Sequence, residues 1–198
     1  METIRGRKTR EVDLNGFRKE LASHDRVLLD LGTGDGRYAR TLARRFPGWF
    51  IIGLDACREN LREHSQVKLK NLLFVIASAQ SLPEEFGNSI SHIAINFPWG
   101  SLLEGLLTGD PALMNGLESV AQRNATIDLR LNGGALAEAG STLEAGAHTI
   151  YNNLRQAGWI LRAPLFMNHP ELRAFPSTWA KRLAFGRDPR AMLLTGRK

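Results

Sequence analysis

The residues best suited to chemistry lie in one short stretch, residues 27–37. Its first part, residues 27–29, is an uninterrupted apolar run, which predicts a strand buried on both faces. The glycines that follow let the backbone turn sharply and approach a ligand closely, because they have no Cβ. From Arg37 the apolar residues are spaced as in a helix. A strand, a glycine turn and a helix in this order predict a crevice that binds a nucleotide at the N-terminus of the helix.

Two carboxylates and the glycine spacing narrow the choice of nucleotide. The third glycine comes one residue earlier than in the dinucleotide fingerprint, and Arg37 occupies the expected position. Asp30 ends the first strand, where a carboxylate repels a pyrophosphate and suits a cationic ligand. A second strand, residues 49–54, ends in Asp55, which can accept hydrogen bonds from both hydroxyls of a ribose. These residues favour S-adenosylmethionine, which has a positive sulfonium and no phosphate; a tight turn with incidental acids is the alternative.

The composition limits the class of protein. The chain has 198 residues, enough for one domain with a substantial core and too few for two comfortable ones. Its 26 Lys and Arg against 20 Asp and Glu give a net charge of +6, which favours a polyanionic partner. The only cysteine, Cys57, has no disulfide partner and no neighbours with metal-ligand spacing, so we expect a reducing cytoplasm and no metal. No apolar run reaches membrane-spanning length, so we expect no membrane contact.

Strands and helices alternate along the chain. Further strands are predicted at residues 72–77, 91–95 and 126–131 from their apolar or alternating patterns. This order predicts an α/β fold with a mostly parallel, seven-stranded, doubly wound sheet. No linker divides the chain, so we expect a single domain over residues 1–198, with residues 1–12 as a short basic extension that is either a strand or a solvated arm. The other predicted elements are helices at 13–24, 37–45, 57–70, 101–107, 111–123 and 143–156, and strands at 159–166 and 191–195.

The carboxyl ends of parallel strands meet at one edge of a sheet, where ligands of such folds bind. Ala79 and Gln80 follow the third strand and are therefore predicted to line the place of an adenine ring. Asn-Phe-Pro-Trp at 96–99 follows the fourth strand, so this tetrapeptide should face a methyl donor. Proline stiffens the turn, and Trp99 can lay its ring against a planar substrate. A tryptophan packed in the core is the alternative.

A second aromatic and basic stretch covers residues 179–190, in a predicted loop between the last two strands. Four basic side chains crowd around Trp179 there: Lys181, Arg182, Arg187 and Arg190. Basic groups beside an aromatic ring can grip phosphates and stack a base, whereas a solvated basic turn is the simpler explanation. Two tryptophans that approach the donor from different loops favour the nucleic-acid interpretation.

Three motifs resemble those of the aminoglycoside-resistance 16S rRNA (adenine-1408 N1)-methyltransferases, the kanamycin–apramycin resistance methyltransferases. The motifs are Asp-Leu-Gly-Thr-Gly-Asp-Gly-Arg at 30–37, Asn-Phe-Pro-Trp-Gly at 96–100 with Leu-Leu-Glu at 102–104, and Trp-Ala-Lys-Arg-Leu-Ala-Phe-Gly-Arg at 179–187. The likeness spans most of the chain and is strongest before residue 108 and after residue 176. Between the fifth and sixth strands this chain is shorter than its relatives, so the resemblance leaves the RNA contacts of that linker open.

The resemblance implies a Rossmann-like class I methyltransferase that uses S-adenosylmethionine and releases S-adenosylhomocysteine. Its implied substrate is the decoding-region helix of 16S rRNA in the 30S ribosomal subunit, and methylation gives aminoglycoside resistance. Trp99 and Trp179 would clasp a flipped adenine, and Ser177 would assist near the substrate loop. We expect a cytoplasmic monomer. The implied cofactor positions are Asp30, Gly32, Gly34, Arg37, Asp55, Ala79, Gln80 and Ser101, and the implied RNA-binding positions are Lys181, Arg182, Arg187 and Arg190.

Two other functions remain compatible with these residues. A methyltransferase for another RNA, such as a tRNA guanine-N7 enzyme, would have the same sheet. A catalytically silent RNA-binding protein could also have kept the fold. The intact Asp30, glycine turn and Asp55 argue against the silent protein, because a protein that only binds RNA has no need of them.

Overall fold

The computed structural model describes residues 1–184 and 188–198. Within these ranges it forms one sheet of ten strands with nine α-helices. The strands are β1 (Glu2–Arg5), β2 (Lys8–Glu11), β3 (Arg26–Leu31), β4 (Trp49–Asp55), β5 (Leu72–Ile76), β6 (Ile90–Asn96), β7 (Ala121–Asn132), β8 (Ile160–Leu161), β9 (Leu165–Phe166) and β10 (Ala191–Arg197). The helices are α1 (Leu14–Ala22), α2 (Arg37–Arg45), α3 (Arg58–Leu61), α4 (Gly100–Thr108), α5 (Pro111–Val120), α6 (Gly133–Glu138), α7 (Leu143–Gln156), α8 (His169–Ala174) and α9 (Thr178–Ala184).

The strand order explains where a ligand can bind. The order is β2-β1-β5-β4-β3-β6-β7-β10-β8, with β9 also paired to β10. Strands β5, β4, β3, β6 and β7 are mutually parallel, and β10 is antiparallel to β7. The chain reverses its direction of travel across the sheet next to β3, which opens a crevice at the carboxyl ends of β3 and β6. The predicted doubly wound α/β sheet with a mostly parallel centre is confirmed, and three further strands widen it from seven to ten among the described residues.

The extra strands come from the N-terminus and from a division of the predicted sixth strand. Residues 1–12 form the β1–β2 hairpin, and β1 pairs with β5, so the strand interpretation of this segment is correct. The predicted strand at 159–166 is split into β8 and β9, each paired with β10. Pro164 interrupts it, because proline offers no N–H to a ladder.

The core lies on both faces of the parallel strands. Leu29 and Leu31 of β3 pack on one face with most of the other buried apolar residues. Leu28 points to the other face and packs against Ala39 and Ala43 of α2 and the ring of Phe74. Burial on both faces is the reason why β3 has no alternating pattern in the sequence.

The helix predicted at residues 57–70 is wrong over most of its length. Helix α3 ends at Leu61, and a single 3₁₀ turn, His64–Gln66, follows it. The Ser65 hydroxyl accepts a hydrogen bond of 2.8 Å from the N–H of Gly6 in the hairpin turn. A tertiary contact to the hairpin therefore overrides the helix propensity of this segment.

Two other predictions, the end of one helix and a loop near the C-terminus, are wrong. The helix predicted at 111–123 ends at Val120, and β7 begins at once. Gly133 and Gly134 follow β7 directly and open α6, where the Asn132 side chain accepts from the N–H of Ala135 at 3.1 Å and caps the helix. The predicted loop around Trp179 is helix α9. No helix in the described part of the chain combines the length and apolar character needed to cross a bilayer.

Candidate functional site

The turn between β3 and α2 depends on glycine. Gly32, Gly34 and Gly36 all have positive φ angles, of 70°, 59° and 77°. A Cβ on Gly36 would collide with the ring of Phe74, and one on Gly32 would lie 2.6 Å from Cδ2 of Leu102. Glycine is therefore needed here for the backbone conformation and for space.

Asp30 is buried at the carboxyl end of β3, with 1% of its surface exposed. Its carboxylate accepts hydrogen bonds from the Thr33 hydroxyl and from Nδ2 of Asn96, the latter at 3.1 Å. Burial raises the pKa of Asp30 to about 7, although both hydrogen bonds oppose the shift. Ionisation of this carboxylate near neutral pH thus depends on what positive charge comes close to it.

Asp55 is fixed at the end of β4. Its Oδ2 accepts from the N–H of Gly34 at 2.8 Å, and its Oδ1 accepts from the N–H of Cys57 at 2.8 Å. The Asn60 side chain adds a longer hydrogen bond of 3.4 Å to Oδ1. Each carboxylate oxygen has two lone pairs, so Asp55 can still accept from a ligand.

A cavity of about 310 Å³ lies between the glycine turn and the ends of β4, β5 and β6. Of the predicted cofactor residues, five lie in its wall: Gly32, Gly34, Asp55, Ala79 and Ser101. All four residues of the tetrapeptide at 96–99 also lie in the wall, at the edge where the sequence predicts them, whereas sequence reasoning missed Leu54, Asn60 and Leu102. Leu54 is the last apolar residue of β4, next to Asp55, so its position at this edge was a usable signal, whereas nothing local marks Asn60 or Leu102.

Three predicted cofactor residues lie behind this wall, not in it. Asp30 reaches the wall through Asn96, which is a wall residue. Gln80 donates from Nε2 to the Ser101 carbonyl at 2.9 Å, so it holds the start of α4 in place. Arg37 begins α2, and its N–H donates to Oδ1 of Asp35 at 3.0 Å.

The two tryptophan segments differ in how much the structure describes. Trp99 is 45% exposed and lies in the cavity wall, so it is not a core residue. The backbone of Trp179 belongs to α9, but its side chain and all of Arg187 lie outside the described residues. Lys181 and Arg182 are exposed on α9. Arg190 is also exposed, after that helix, and forms a salt bridge of 2.9 Å with Asp188.

Contacts that the sequence did not reveal hold α9 near the cavity. Ser177, which precedes α9, is buried, and its hydroxyl accepts from the N–H of Ala180 at 3.3 Å. The ring of Phe175 stacks on Tyr38 of α2 at 5.0 Å between centroids. The same ring meets Phe97 edge-on at 5.8 Å. These contacts bring the start of α9 to the sheet edge that carries Trp99.

The cavity suits S-adenosylmethionine in its chemistry. The fixed carboxylate of Asp55 can accept hydrogen bonds from ribose hydroxyls, and Leu54, Ala77 and Ala79 offer apolar contact to an adenine ring. The buried Asp30 carboxylate favours positive charge close to the glycine turn. Among the described residues, no group of three or more His, Cys, Asp or Glu side chains is placed to hold a metal ion.

This sheet and crevice define a Rossmann-like methyltransferase of the S-adenosylmethionine-dependent class, and solved structures of that class share the fold. One of them, a 16S rRNA (adenine(1408)-N(1))-methyltransferase variant from Catenulisporales acidiphilia with the cosubstrate SAM, superposes with a TM-score of 0.87 at 25% identity. That superposition covers 100% of this chain and 96% of the other.

The chain belongs to the NpmA family, 16S rRNA (adenine(1408)-N(1))-methyltransferase, whose family model matches residues 2–198. It is 31% identical to an Escherichia coli protein of that name over 205 residues, which is 94% of each chain. It is also 31% identical to one from Streptoalloteichus hindustanus over 214 residues, covering 100% of this chain and 99% of the relative. The predicted family is thus confirmed.

Proposed function

We propose that this protein transfers the methyl group of S-adenosylmethionine to N1 of adenine 1408 of 16S rRNA, as the names of its relatives state for them. The observation that carries the proposal is the position of Trp99, which lies half-exposed in the wall of a cavity that also contains Asp55. An aromatic ring beside a crevice that can hold a nucleoside, with a carboxylate that can accept hydrogen bonds from a ribose, suits methyl transfer to a nucleic-acid base.

The donor would lie along the carboxyl edge of β3, β4 and β5. Asp55 would accept from the ribose hydroxyls, and Ala79 would contact the adenine ring. The backbones of Gly32 and Gly34 would pass close to the methionine part, and Ser101 would close the wall. Asp30 would attract the positive charge of the ligand across Asn96, which is hydrogen-bonded to Asp30 and lies in the cavity wall. Arg37 and Gln80 would act by holding the glycine turn and α4 in place.

The target base must leave its stack to reach this edge. Unstacking costs a few kcal/mol, and stacking on an aromatic side chain returns about 1–3 kcal/mol per base. Trp99 and Trp179 together therefore supply interactions of the required size. Their electron-rich faces would also stabilise the positive charge that develops on the methylated base.

The reaction needs no general base. The N1 lone pair of neutral adenine forms the new C–N bond while the C–S bond of the donor breaks, and no proton has to leave first. When bound, S-adenosylmethionine supplies the methyl group already activated as a sulfonium. The protein has only to orient the base and exclude water. This explains why the proposed site residues include two tryptophans and no histidine.

The basic side chains after Trp179 would hold the rRNA backbone. Lys181 and Arg182 are exposed on the same helix as Trp179, so phosphates bound there would lie close to the flipped base. Arg187 and Arg190 continue the basic stretch. We further propose that the enzyme acts as a cytoplasmic monomer on the assembled 30S subunit and that the modification confers aminoglycoside resistance.

Transfer of tritiated methyl groups to purified 30S subunits, naked rRNA and tRNA tests this function, with the modified base mapped by primer extension. We expect label on the subunits and a polymerase stop at one adenine, because a methyl group on N1 blocks Watson–Crick pairing. Label on tRNA alone would indicate an enzyme for another RNA. Subunit binding without any label would indicate a silent RNA-binding protein.

The tryptophan clasp is tested in the same assay. Trp179→Ala and Trp99→Ala should each abolish methylation while donor binding, measured by calorimetry, persists. Trp49→Phe is the matched control, because Trp49 stacks on Phe46 at 4.4 Å and begins β4, at the end of the strand opposite to Asp55. Parent-like turnover of Trp99→Ala or Trp179→Ala would contradict the clasp.

A further inference from the structure

Arg130 lies between the two tryptophan-bearing segments, outside the cavity wall. It is near the end of β7, and only 12% of its side chain is exposed. Its Nη2 donates to Oδ2 of Asp128 at 3.3 Å, which fixes one end of the guanidinium. The rest of the guanidinium contacts groups that lead to the donor cavity and to α9.

The first contact leads to the donor cavity. Nη1 of Arg130 donates to Oδ1 of Asn96 at 3.1 Å. The Nδ2 group of the same Asn96 donates to Oδ1 of Asp30, also at 3.1 Å. Because Asn96 lies in the cavity wall, Arg130 fixes the orientation of its amide and so the hydrogen bond that reaches Asp30.

The second contact leads to Trp99. Phe97 has a φ of 55°, a left-handed conformation that is strained for a bulky residue. The N–H of Phe97 donates to the Arg130 carbonyl at 2.8 Å, and this bond helps to hold the strained conformation. The direction of the chain at Phe97 sets where Trp99 lies two residues later. The backbone carbonyl of Arg130 in β7 therefore helps to position Trp99.

The third contact leads to α9. The guanidinium carbon of Arg130 lies 4.6 Å from the ring centroid of Phe175, within the range of a cation–π interaction. The Phe175 carbonyl accepts from the N–H of Ser177 at 2.9 Å, immediately before α9 begins. The ring of Phe175 therefore rests on Arg130 while its backbone starts the segment that carries Trp179.

We propose that Arg130 is a positioning residue that holds Asn96 and Phe175 together, so that both tryptophan segments meet the donor cavity in one geometry. It acts through these neighbours and not on the base or the donor. Arginine suits this place because its planar guanidinium can stack on a ring and donate hydrogen bonds in its plane at once, which a lysine ammonium cannot do. The inference rests on the proposed methyl transfer.

The test compares Arg130→Lys and Phe175→Leu with the parent in single-turnover methylation of saturating 30S subunits. We expect the rate to fall about tenfold in each variant, because the ring and the guanidinium no longer hold the two tryptophan segments in one geometry. Donor affinity and subunit affinity should stay close to those of the parent, while the melting temperature falls by a few degrees because contacts of the folded state are lost. Phe175→Tyr should retain most of the parental rate, since tyrosine keeps the aromatic face that contacts Arg130. Arg155→Lys is the matched control, because Arg155 lies over Tyr151 at 5.5 Å on α7.

Each result bears on the inference separately from the proposed function. If the parent itself fails to methylate, the proposed function fails. If the parent methylates and Arg130→Lys and Phe175→Leu match it, the positioning role is wrong. A rate loss that is matched by lower donor or subunit affinity, or that appears equally in Phe175→Tyr, also overturns it, because Arg130 would then be merely structural.

Discussion

The Thr178 hydroxyl donates a hydrogen bond of 2.5 Å to Oδ2 of Asp35, although the two residues are 143 positions apart in the chain. Asp35 lies in the glycine turn that borders the 310 Å³ cavity, and Thr178 is the first residue of α9. The bond thus joins the turn that would hold the donor to the helix that carries Trp179. Such a link can fix how far the flipped base lies from the methyl group.

Replacing Thr178 by valine should slow methylation while leaving donor binding intact. Valine has nearly the same shape and lacks the hydroxyl, so only the bond to Asp35 is lost. We expect about a fivefold lower single-turnover rate on 30S subunits, from a charge-assisted bond that contributes about 1 kcal/mol at this part-buried position. Thr149→Val, at an exposed position of α7, is the control. Equal rates for Thr178→Val and the parent would show that this bond does not set the geometry.

Asp55→Asn should weaken donor binding. An amide cannot accept at both of its ends, so the bonds to the N–H groups of Gly34 and Cys57 cannot both be kept. We expect roughly a tenfold higher dissociation constant in calorimetry, because a charge-assisted bond to the ribose is also lost. Asp25→Asn removes an exposed carboxylate from a turn before β3 and serves as the control. An unchanged dissociation constant in Asp55→Asn would remove its ribose role.

The stability of the free protein should show the titration of Asp30. Because burial raises the pKa of Asp30 to about 7, the folded state binds its proton more tightly than the unfolded chain does. The contribution of Asp30 to stability is therefore full below the ordinary aspartate pKa and is lost as the pH rises through about 7. Urea unfolding should show the parent losing stability relative to Asp30→Asn over this range, by at most about 1.4 kcal/mol per pH unit. A constant difference between the two proteins would contradict the raised pKa.

Donor affinity should rise with pH, whereas the contribution of Asp30 to stability falls. The positive ligand favours ionised Asp30, so protonation of Asp30 below about pH 7 competes with binding. Calorimetry should show affinity falling as the pH is lowered from about 8 to about 6, with proton release on binding at the lower pH. Asp30→Asn should bind more weakly and without this dependence. If the parent and Asp30→Asn follow the same pH profile, Asp30 is not coupled to the donor.

Gly36→Ala should destabilise the protein by about 2 kcal/mol or more, because it adds strain at positive φ and a clash. Gly36 has a φ of 77°, and its added Cβ would meet the ring of Phe74. Gly48→Ala is the control, since no atom lies within 4 Å of the position of its Cβ. Urea unfolding of both variants measures the difference. Similar stabilities for the two would show that the glycine turn can relax around a side chain.

The local features of the site could be predicted from the sequence. A buried strand, a glycine turn and a helix are encoded by neighbouring residues, so Gly32 and Gly34 were assigned to the crevice that they line. Asp55 was found for the same reason, because it follows an apolar strand directly. Parallel strands share one edge, and this rule placed Ala79 and Trp99 at the cavity as well.

Other parts of the site required the tertiary structure. Asp30 looks like a wall residue in the sequence, but Asn96 lies between it and the cavity, and the two are 66 positions apart. The segment after residue 176 reads as a basic loop, yet it forms α9 once Ser177 is buried and caps it. Serine is a common N-cap, so the start of this helix had a local signal, but the packing that buries Ser177 and favours helix over loop did not.

The sequence by itself determined the class of fold, the edge of the sheet that carries the cavity and the family, because strand periodicity, glycine spacing and unusual motifs are properties of short segments. Only the tertiary structure decided that the N-terminal hairpin joins β5. It also decided that Thr178 meets Asp35 and that Arg130 supports Phe175. These contacts join residues far apart in the chain, and their energy depends on how packed elements meet, which no local pattern records.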